Sequence, residues 1–126
     1  MTEAAALKAG PEMDTLIRDC VFNGKDAPAS WISLNTYYVE PPQSYRPYSS
    51  TIECAWLVVE KMKRHVGIGE WIAIEVTRGD LVRVGIADHN THSPGGSWRY
   101  LQTANTVPLA VCRFALAALA AEREGA

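Results

Sequence analysis

Apolar side chains recur at helical spacing in three stretches of the chain. The first stretch follows Gly10-Pro11, and its apolar positions are Met13, Leu16, Ile17, Cys20 and Val21. Spacings of three and four residues place these side chains on one face of a helix. Asn23-Gly24 is predicted to end this helix, because glycine readily adopts the left-handed conformation of a helix C-terminus.

The second helical stretch begins at a polar tetrad. Ser50-Thr51-Ile52-Glu53 fits a capping box, in which Ser50 caps the helix and Glu53 reaches back to the cap. The predicted buried stripe of this helix consists of Ile52, Ala55, Trp56, Val59, Met62 and Val66. Gly67 and Gly69 are predicted to end it.

The last helical stretch is apolar on almost every side. Thr106 is its predicted N-cap, and Pro108 suits the first turn, where a missing N–H does no harm. One stripe holds Leu109, Cys112, Leu116 and Leu119, and a second holds Ala110, Phe114, Ala117, Ala118 and Ala121. Such a helix either lies deep in the core or meets another subunit. Because alanine permits close approach, the pattern favours a homo-oligomer contact through this C-terminal helix.

Apolar and polar residues alternate between the second and third helices, which is the pattern of half-buried strands. The apolar positions are Ile72, Ile74 and Val76 in one run, and Val82, Val84 and Ile86 in the next. The turn Arg78-Gly79-Asp80 joins the two runs as an antiparallel hairpin, and Trp98 to Thr103 is predicted as a third strand. Ser30 to Val39 is rich in β-formers and is predicted as an edge strand, which Pro41-Pro42 stops.

This order of elements predicts the fold class. Strands joined by short turns form antiparallel sheets, so the chain is α+β, with three helices and a mainly antiparallel sheet. A length of 126 residues, with 48% hydrophobic and 21% charged residues, suits one soluble domain with one core. Residues 1–10 are predicted to be loosely ordered, and residues 11–126 to form the single domain.

Charge and cysteine content exclude several classes of protein. A net charge of −2 gives no long-range attraction to a nucleic-acid polymer or an anionic membrane. The most apolar window, Pro108 to Ala121, contains Arg113 and is shorter than the ~20 residues of a membrane span. Met1 to Gly10 lacks the pattern of a signal peptide. Cys20, Cys54 and Cys112 form no CxxC pair, so they are predicted to be reduced core thiols of an intracellular protein.

Three segments together resemble the phage ABA sandwich domain family, small proteins that bacteriophages and prophages encode. The segments are Gly10-Pro11-Glu12-Met13-Asp14; Pro47-Tyr48-Ser49 with the following Ala55-Trp56 and Val58-Val59-Glu60-Lys61-Met62; and Ala104-Asn105-Thr106-Val107-Pro108-Leu109-Ala110-Val111-Cys112-Arg113. The resemblance spans roughly residues 10–122, although Ala27 to Arg46 matches nothing. It implies a small three-layer α/β/α sandwich, a phage accessory gene and action in the host bacterial cytoplasm. It brings no cofactor and no catalytic residue.

Aromatic rings, hydroxyls and a guanidinium cluster before the second helix. The candidate ligand-binding residues are Tyr45, Arg46, Tyr48, Ser49, Ser50, Trp98 and Arg99. Arginine binds phosphate through paired N–H groups, a helix N-terminus favours anions, and aromatic rings stack on bases. A nucleotide-like small molecule is therefore the predicted partner. A structural role stays open for the same residues, with Ser50 as a cap, Tyr48 packed at the helix entry and the tryptophans in the core.

Three functions remain open from the sequence. The first is a phage binding protein, an anti-defence sponge that sequesters a host nucleotide-derived immune signal, such as a cyclic nucleotide or an ADP-ribose derivative, without cleaving it. The second is an enzyme that degrades such a signal, with Asp88, His89 and His92 as acid/base or metal groups. The third is an accessory protein that binds a host protein. No cofactor, metal or catalytic residue is predicted, since the loop offers no third zinc ligand.

Overall fold

The computed structural model describes residues 7–24, 47–91 and 98–123. The helices are α1 (Pro11–Val21), α2 (Ile52–Met62, continued by a 3-10 turn over Lys63–His65) and α3 (Val107–Arg123). The strands are β1 (Glu70–Val76), β2 (Val82–Asp88) and β3 (Arg99–Ala104). They form one antiparallel sheet in the order β1-β2-β3, so the predicted α+β class is confirmed. The strand predicted over Ser30 to Val39 lies outside the described residues.

The two faces of the sheet differ: one is apolar, and the other carries both polar and apolar residues. β1 pairs with β2 in a regular antiparallel register, so that Ile72, Ile74 and Val76 stand opposite Ile86, Val84 and Val82. The pairing of β2 with β3 is irregular between Val84 and Ile86, where Tyr100 adopts a φ of 55°. On the mixed face, a Cβ at Gly85 would lie 3.1 Å from the Trp98 ring. Glycine at this position therefore lets Trp98 lie close against the sheet.

Helix α3 forms the centre of the core. Its buried side chains are Leu109, Ala110, Val111, Cys112, Phe114, Ala115, Leu116 and Ala118. It packs against β2 and β3 on one side and against α1 and α2 on the other. The sequence allowed this helix either to lie deep in the core or to meet another subunit. The structure places it deep in the core of the chain. The homo-oligomer contact stays a prediction, and no apolar side chain of α3 is fully exposed among the residues described.

The layers follow from these contacts. The sheet, then α3, then α1 with α2 are stacked in this order, because α1 and α2 make their main contacts with α3. The described helices therefore lie on the face of the sheet that carries Val82, Val84 and Ile86. A helical layer on the opposite face, as in an α/β/α order, is not among the helices of the described ranges.

The buried face of α2 differs from the predicted stripe. Ile52 and Trp56 are 63% and 50% exposed, so their assignment to the stripe was wrong. The side chains buried instead are Cys54, Ala55, Leu57, Val58, Val59 and Met62. This helix has apolar residues of its own on most sides. The face that meets α3 is therefore selected by tertiary packing, and the spacing of apolar residues alone does not determine it.

Four helix ends were predicted, and those at the end of α1 and the start of α3 agree with the structure. Helix α2 with its 3-10 turn ends at His65, two residues before the predicted Gly67. Gly24 donates its N–H to the Arg18 carbonyl (2.9 Å) at the end of α1, and Asn23 and Gly24 both have positive φ. Leu109 donates its N–H to Thr106 Oγ1 (3.4 Å), which confirms the cap of α3. At α2 the cap is Thr51, which accepts from the Cys54 N–H, so the capping box starting at Ser50 was wrong by one residue.

The three cysteines differ in their access to solvent. Cys54 and Cys112 are buried, and Cys20 is partly exposed. Burial, together with the nearby carboxylate of Asp14, raises the pKa of the Cys112 thiol well above its usual value. Because only the thiolate reacts with alkylating reagents, Cys112 is expected to be inert in the folded protein.

We therefore expect iodoacetamide at pH 8 to label native protein once, at Cys20, as read by peptide mass spectrometry. Cys20→Ser is expected to remove the native labelling. Guanidinium is expected to expose Cys54 and Cys112 to the reagent. Labelling of Cys112 at the rate of an unfolded thiol in native protein would contradict its buried position.

Candidate functional site

Two of the predicted ligand-binding residues lie inside the core. Tyr48 is fully buried, and its ring stacks on that of Phe22 with centroids 5.1 Å apart and an interplanar angle of 20°. Ser49 is also fully buried. A side chain without exposed surface contacts no ligand in this conformation. These two residues take the structural role that the sequence had left open.

Ser49 joins the entry of α2 to the entry of α1. Its N–H donates to Asp14 Oδ1 (2.8 Å), and its hydroxyl donates to the same oxygen (2.6 Å). The Gly10 N–H donates to Ser49 Oγ (2.9 Å). Asp14 is only 3% exposed, so this carboxylate makes its charge-assisted hydrogen bonds away from water. Asp14 was not among the predicted site residues, and its position beside the apolar Met13 and Ile17 was the available signal.

The other predicted site residues lie at the surface in different places or outside the described ranges. Ser50 is exposed before α2. Trp98 is partly exposed, with the Arg83 guanidinium 5.3 Å from its ring centroid. Arg99 is exposed at the start of β3 and donates to Glu70 Oε1 (2.5 Å). Tyr45 and Arg46 are outside the described residues.

A different group of residues lines an open cleft where β3 ends and α3 begins. Its volume is about 650 Å³, which is in the range of small-molecule sites. It is lined by Lys8, Ala9, Leu81, Thr103, Ala104, Asn105, Thr106, Leu109 and Arg113. Two of these side chains are cations and none is acidic. The leucines and alanines supply apolar walls, and Asn105 with the two threonines supplies neutral hydrogen-bonding groups.

Arg113 is the distinctive side chain of this cleft. Its Nη1 donates to the Thr103 carbonyl (2.8 Å) and its Nη2 to the Leu7 carbonyl (3.3 Å). Its Nε is buried and has no hydrogen-bond partner within the described part of the chain. It is the one charged residue between Val107 and Ala121. A single charge in an otherwise apolar helix is a sequence signal for a special role, beyond being evidence against a membrane span.

The helix N-terminus itself adds little to the cleft. Pro108 has no N–H, and the Leu109 N–H is used by the Thr106 hydroxyl. The Ala110 N–H donates to the Thr106 carbonyl (3.1 Å). The orphan donors that make many helix starts attractive to anions are therefore largely satisfied here. The electrostatic character of the cleft depends on Arg113 and Lys8.

The loop proposed for catalysis or metal binding has a local structural explanation. Asp88 Oδ1 accepts from the Asn90 N–H (2.8 Å), and Thr91 Oγ1 accepts from the Asp88 N–H (2.7 Å), which closes a tight turn. His89 is exposed, and His92 lies outside the described ranges. Over residues 7–24, 47–91 and 98–123, no three His, Cys, Asp or Glu side chains are grouped to hold a metal ion.

Comparison with known proteins adds no relative. No protein family, curated protein or solved structure matches this chain. The resemblance to phage ABA sandwich proteins therefore stays a prediction from the three motifs. None of the helices in the described ranges is long and apolar enough to cross a membrane.

Proposed function

We propose that this protein is a non-catalytic binding protein that sequesters a small ligand in the cleft at the start of α3. The cleft is the observation that carries the proposal. It is large enough for a small organic molecule and combines two cations with apolar walls. Among the described residues, its lining includes no His, Cys, Asp or Glu, which are common groups for nucleophilic or acid–base chemistry. Binding without turnover suits such a lining.

The ligand class in this proposal is a nucleotide-derived immune signal of a bacterial host, either a cyclic nucleotide or an ADP-ribose derivative. The three-motif resemblance supports a phage gene, and with it action in the host cytoplasm as an anti-defence sponge. A protein that only sequesters its ligand needs high affinity for it and many copies of the protein, and does not need to accelerate a reaction. The positive lining supports a phosphate-bearing ligand, although the protein as a whole has a net charge of −2.

Thermal unfolding with a panel of cyclic nucleotides and ADP-ribose derivatives tests this function. A ligand at one hundred times its Kd should stabilise the fold by about 2.7 kcal/mol. For a domain of this size the midpoint should then rise by roughly 10 °C. The bound ligand should be recovered unchanged by mass spectrometry after the complex is denatured.

Two outcomes would contradict the function. If no member of the panel shifts the midpoint, binding of this ligand class is excluded. If the recovered ligand has changed mass in proportion to time and protein, the protein is an enzyme, which was the alternative from the sequence. Boiled protein incubated with the same ligand is the control for spontaneous breakdown.

A further inference from the structure

Four cations of the described surface are paired with carboxylates, and Arg113 is not among them. Arg18, Lys63, Arg83 and Arg99 each form an ion pair with a carboxylate. No carboxylate pairs with Arg113 within the ranges described, and its nearest acceptors are two neutral carbonyl oxygens. A partly buried guanidinium without a counter-charge is unfavourable, and a bound anion would offset this.

We propose that Arg113, assisted by Lys8, holds a phosphate group of the ligand in this cleft. This proposal rests on the proposed function, because it names the chemistry of the same cleft. The two carbonyls hold the guanidinium plane in one orientation, so little side-chain freedom is lost when an anion binds. A guanidinium has five N–H donors, and the carbonyls use two of them. Three N–H groups remain, and because Nε is buried, the second N–H groups of Nη1 and Nη2 are the two left for an anion.

The remaining lining fits a phosphate ester better than a carboxylate alone. A phosphomonoester has three non-bridging oxygens and up to two charges, and a phosphodiester has two such oxygens and one charge. Either can accept from a forked donor such as Arg113 and pair with a point charge such as Lys8. The exposed polar side chains of Asn105 and Thr106 add neutral partners. Leu81 and Leu109 leave an apolar wall for the organic part of the ester. The class of ligand is therefore a phosphomonoester or phosphodiester with an apolar or planar substituent.

Calorimetric titration with inorganic pyrophosphate, at constant ionic strength, is the experiment. Wild-type protein is expected to bind pyrophosphate with one site per chain. Arg113→Gln is expected to bind at least about tenfold more weakly, which corresponds to about 1.4 kcal/mol. Arg113→Lys keeps the charge but lacks the planar fork, and is expected to fall between the two. Arg78→Gln, which removes an exposed cation from the hairpin turn, is the matched control and should bind like wild type.

Lys8→Ala keeps the experiment decisive if Arg113→Gln fails to fold. Lys8 is exposed, so its truncation should leave the fold intact while weakening pyrophosphate binding by about threefold, the scale of a solvated ion pair. Weakening confined to Arg78→Gln would overturn the site. So would an absence of binding to wild type, or folded Arg113→Gln that binds as tightly as wild type.

The outcomes also separate this inference from the proposed function. If a cyclic nucleotide stabilises wild type and Arg113→Gln equally, the function holds and the phosphate anchor is wrong. If pyrophosphate binds through Arg113 but no nucleotide-derived signal binds, the anion site holds and the proposed function is wrong.

Discussion

Replacing Asp14 by alanine is expected to lower the free energy of unfolding by about 3 to 5 kcal/mol. The carboxylate is almost fully buried and accepts both the N–H and the hydroxyl of Ser49. Alanine would leave the buried Ser49 N–H without this acceptor, and would disconnect the entry of α1 from the entry of α2. Urea unfolding followed by far-UV circular dichroism measures the effect.

Two further variants isolate the cause of this loss. Asp14→Asn keeps an oxygen acceptor but removes the charge, and should destabilise by about 1 to 2 kcal/mol. Asp19→Ala removes an exposed carboxylate from the same helix, and its change should stay within about 0.5 kcal/mol. Equal stability of Asp14→Ala and Asp19→Ala would show that the Asp14–Ser49 contact does not hold the two helices together.

Phe114→Ala is the second large effect, with an expected loss of about 3 to 5 kcal/mol. Phe114 is fully buried in the middle of α3, where its ring is part of the core shared by the sheet and the other two helices. Removing it leaves a cavity that the surrounding elements fill only in part. Guanidinium unfolding followed by circular dichroism gives the change, and a preserved m-value would show that the native fold is retained.

Trp56→Ala is the matched control for Phe114→Ala. The sequence pattern placed Trp56 in the buried stripe of α2, whereas half of its surface is exposed in the structure. We therefore expect truncation of Trp56 to destabilise the protein by about 1 kcal/mol, in line with a partly exposed side chain. A loss as large as that of Phe114→Ala would show that α2 packs on the face that the sequence pattern predicted.

Local signals in the sequence were sufficient to predict the three helices and three strands that the structure describes. Helix starts, helix ends and the β1–β2 hairpin depend on residues a few positions apart, such as Thr106 with Pro108 or the Arg78-Gly79-Asp80 turn. The face of α2 was not predictable in this way, because apolar side chains occur around most of its circumference. The choice between faces is made by α3, which is far away in the chain.

The candidate site was predicted less well, for a similar reason. The start of α1 and the segment before α2 were both singled out in the sequence. The hydrogen bond between them, from the Ser49 N–H to Asp14, joins residues 35 positions apart. The cleft is assembled from the segment before α1, the hairpin, the end of β3 and the start of α3. Arg113 reaches the Leu7 carbonyl across 106 positions. No local pattern encodes such contacts, although an isolated charge in an apolar helix marks where to look.

Nuclear magnetic resonance of the Arg113 side chain tests the central claim most directly. Pyrophosphate titrated into ¹⁵N-labelled protein is expected to shift the Arg113 Nε–H resonance, assigned by its loss in Arg113→Lys, in a saturable manner. The backbone amides of Lys8, Ala9 and Asn105 should shift with it. Saturable shifts centred on Ser50, Trp98 and Arg99, with the cleft resonances unchanged, would contradict the assignment of the ligand site to this cleft.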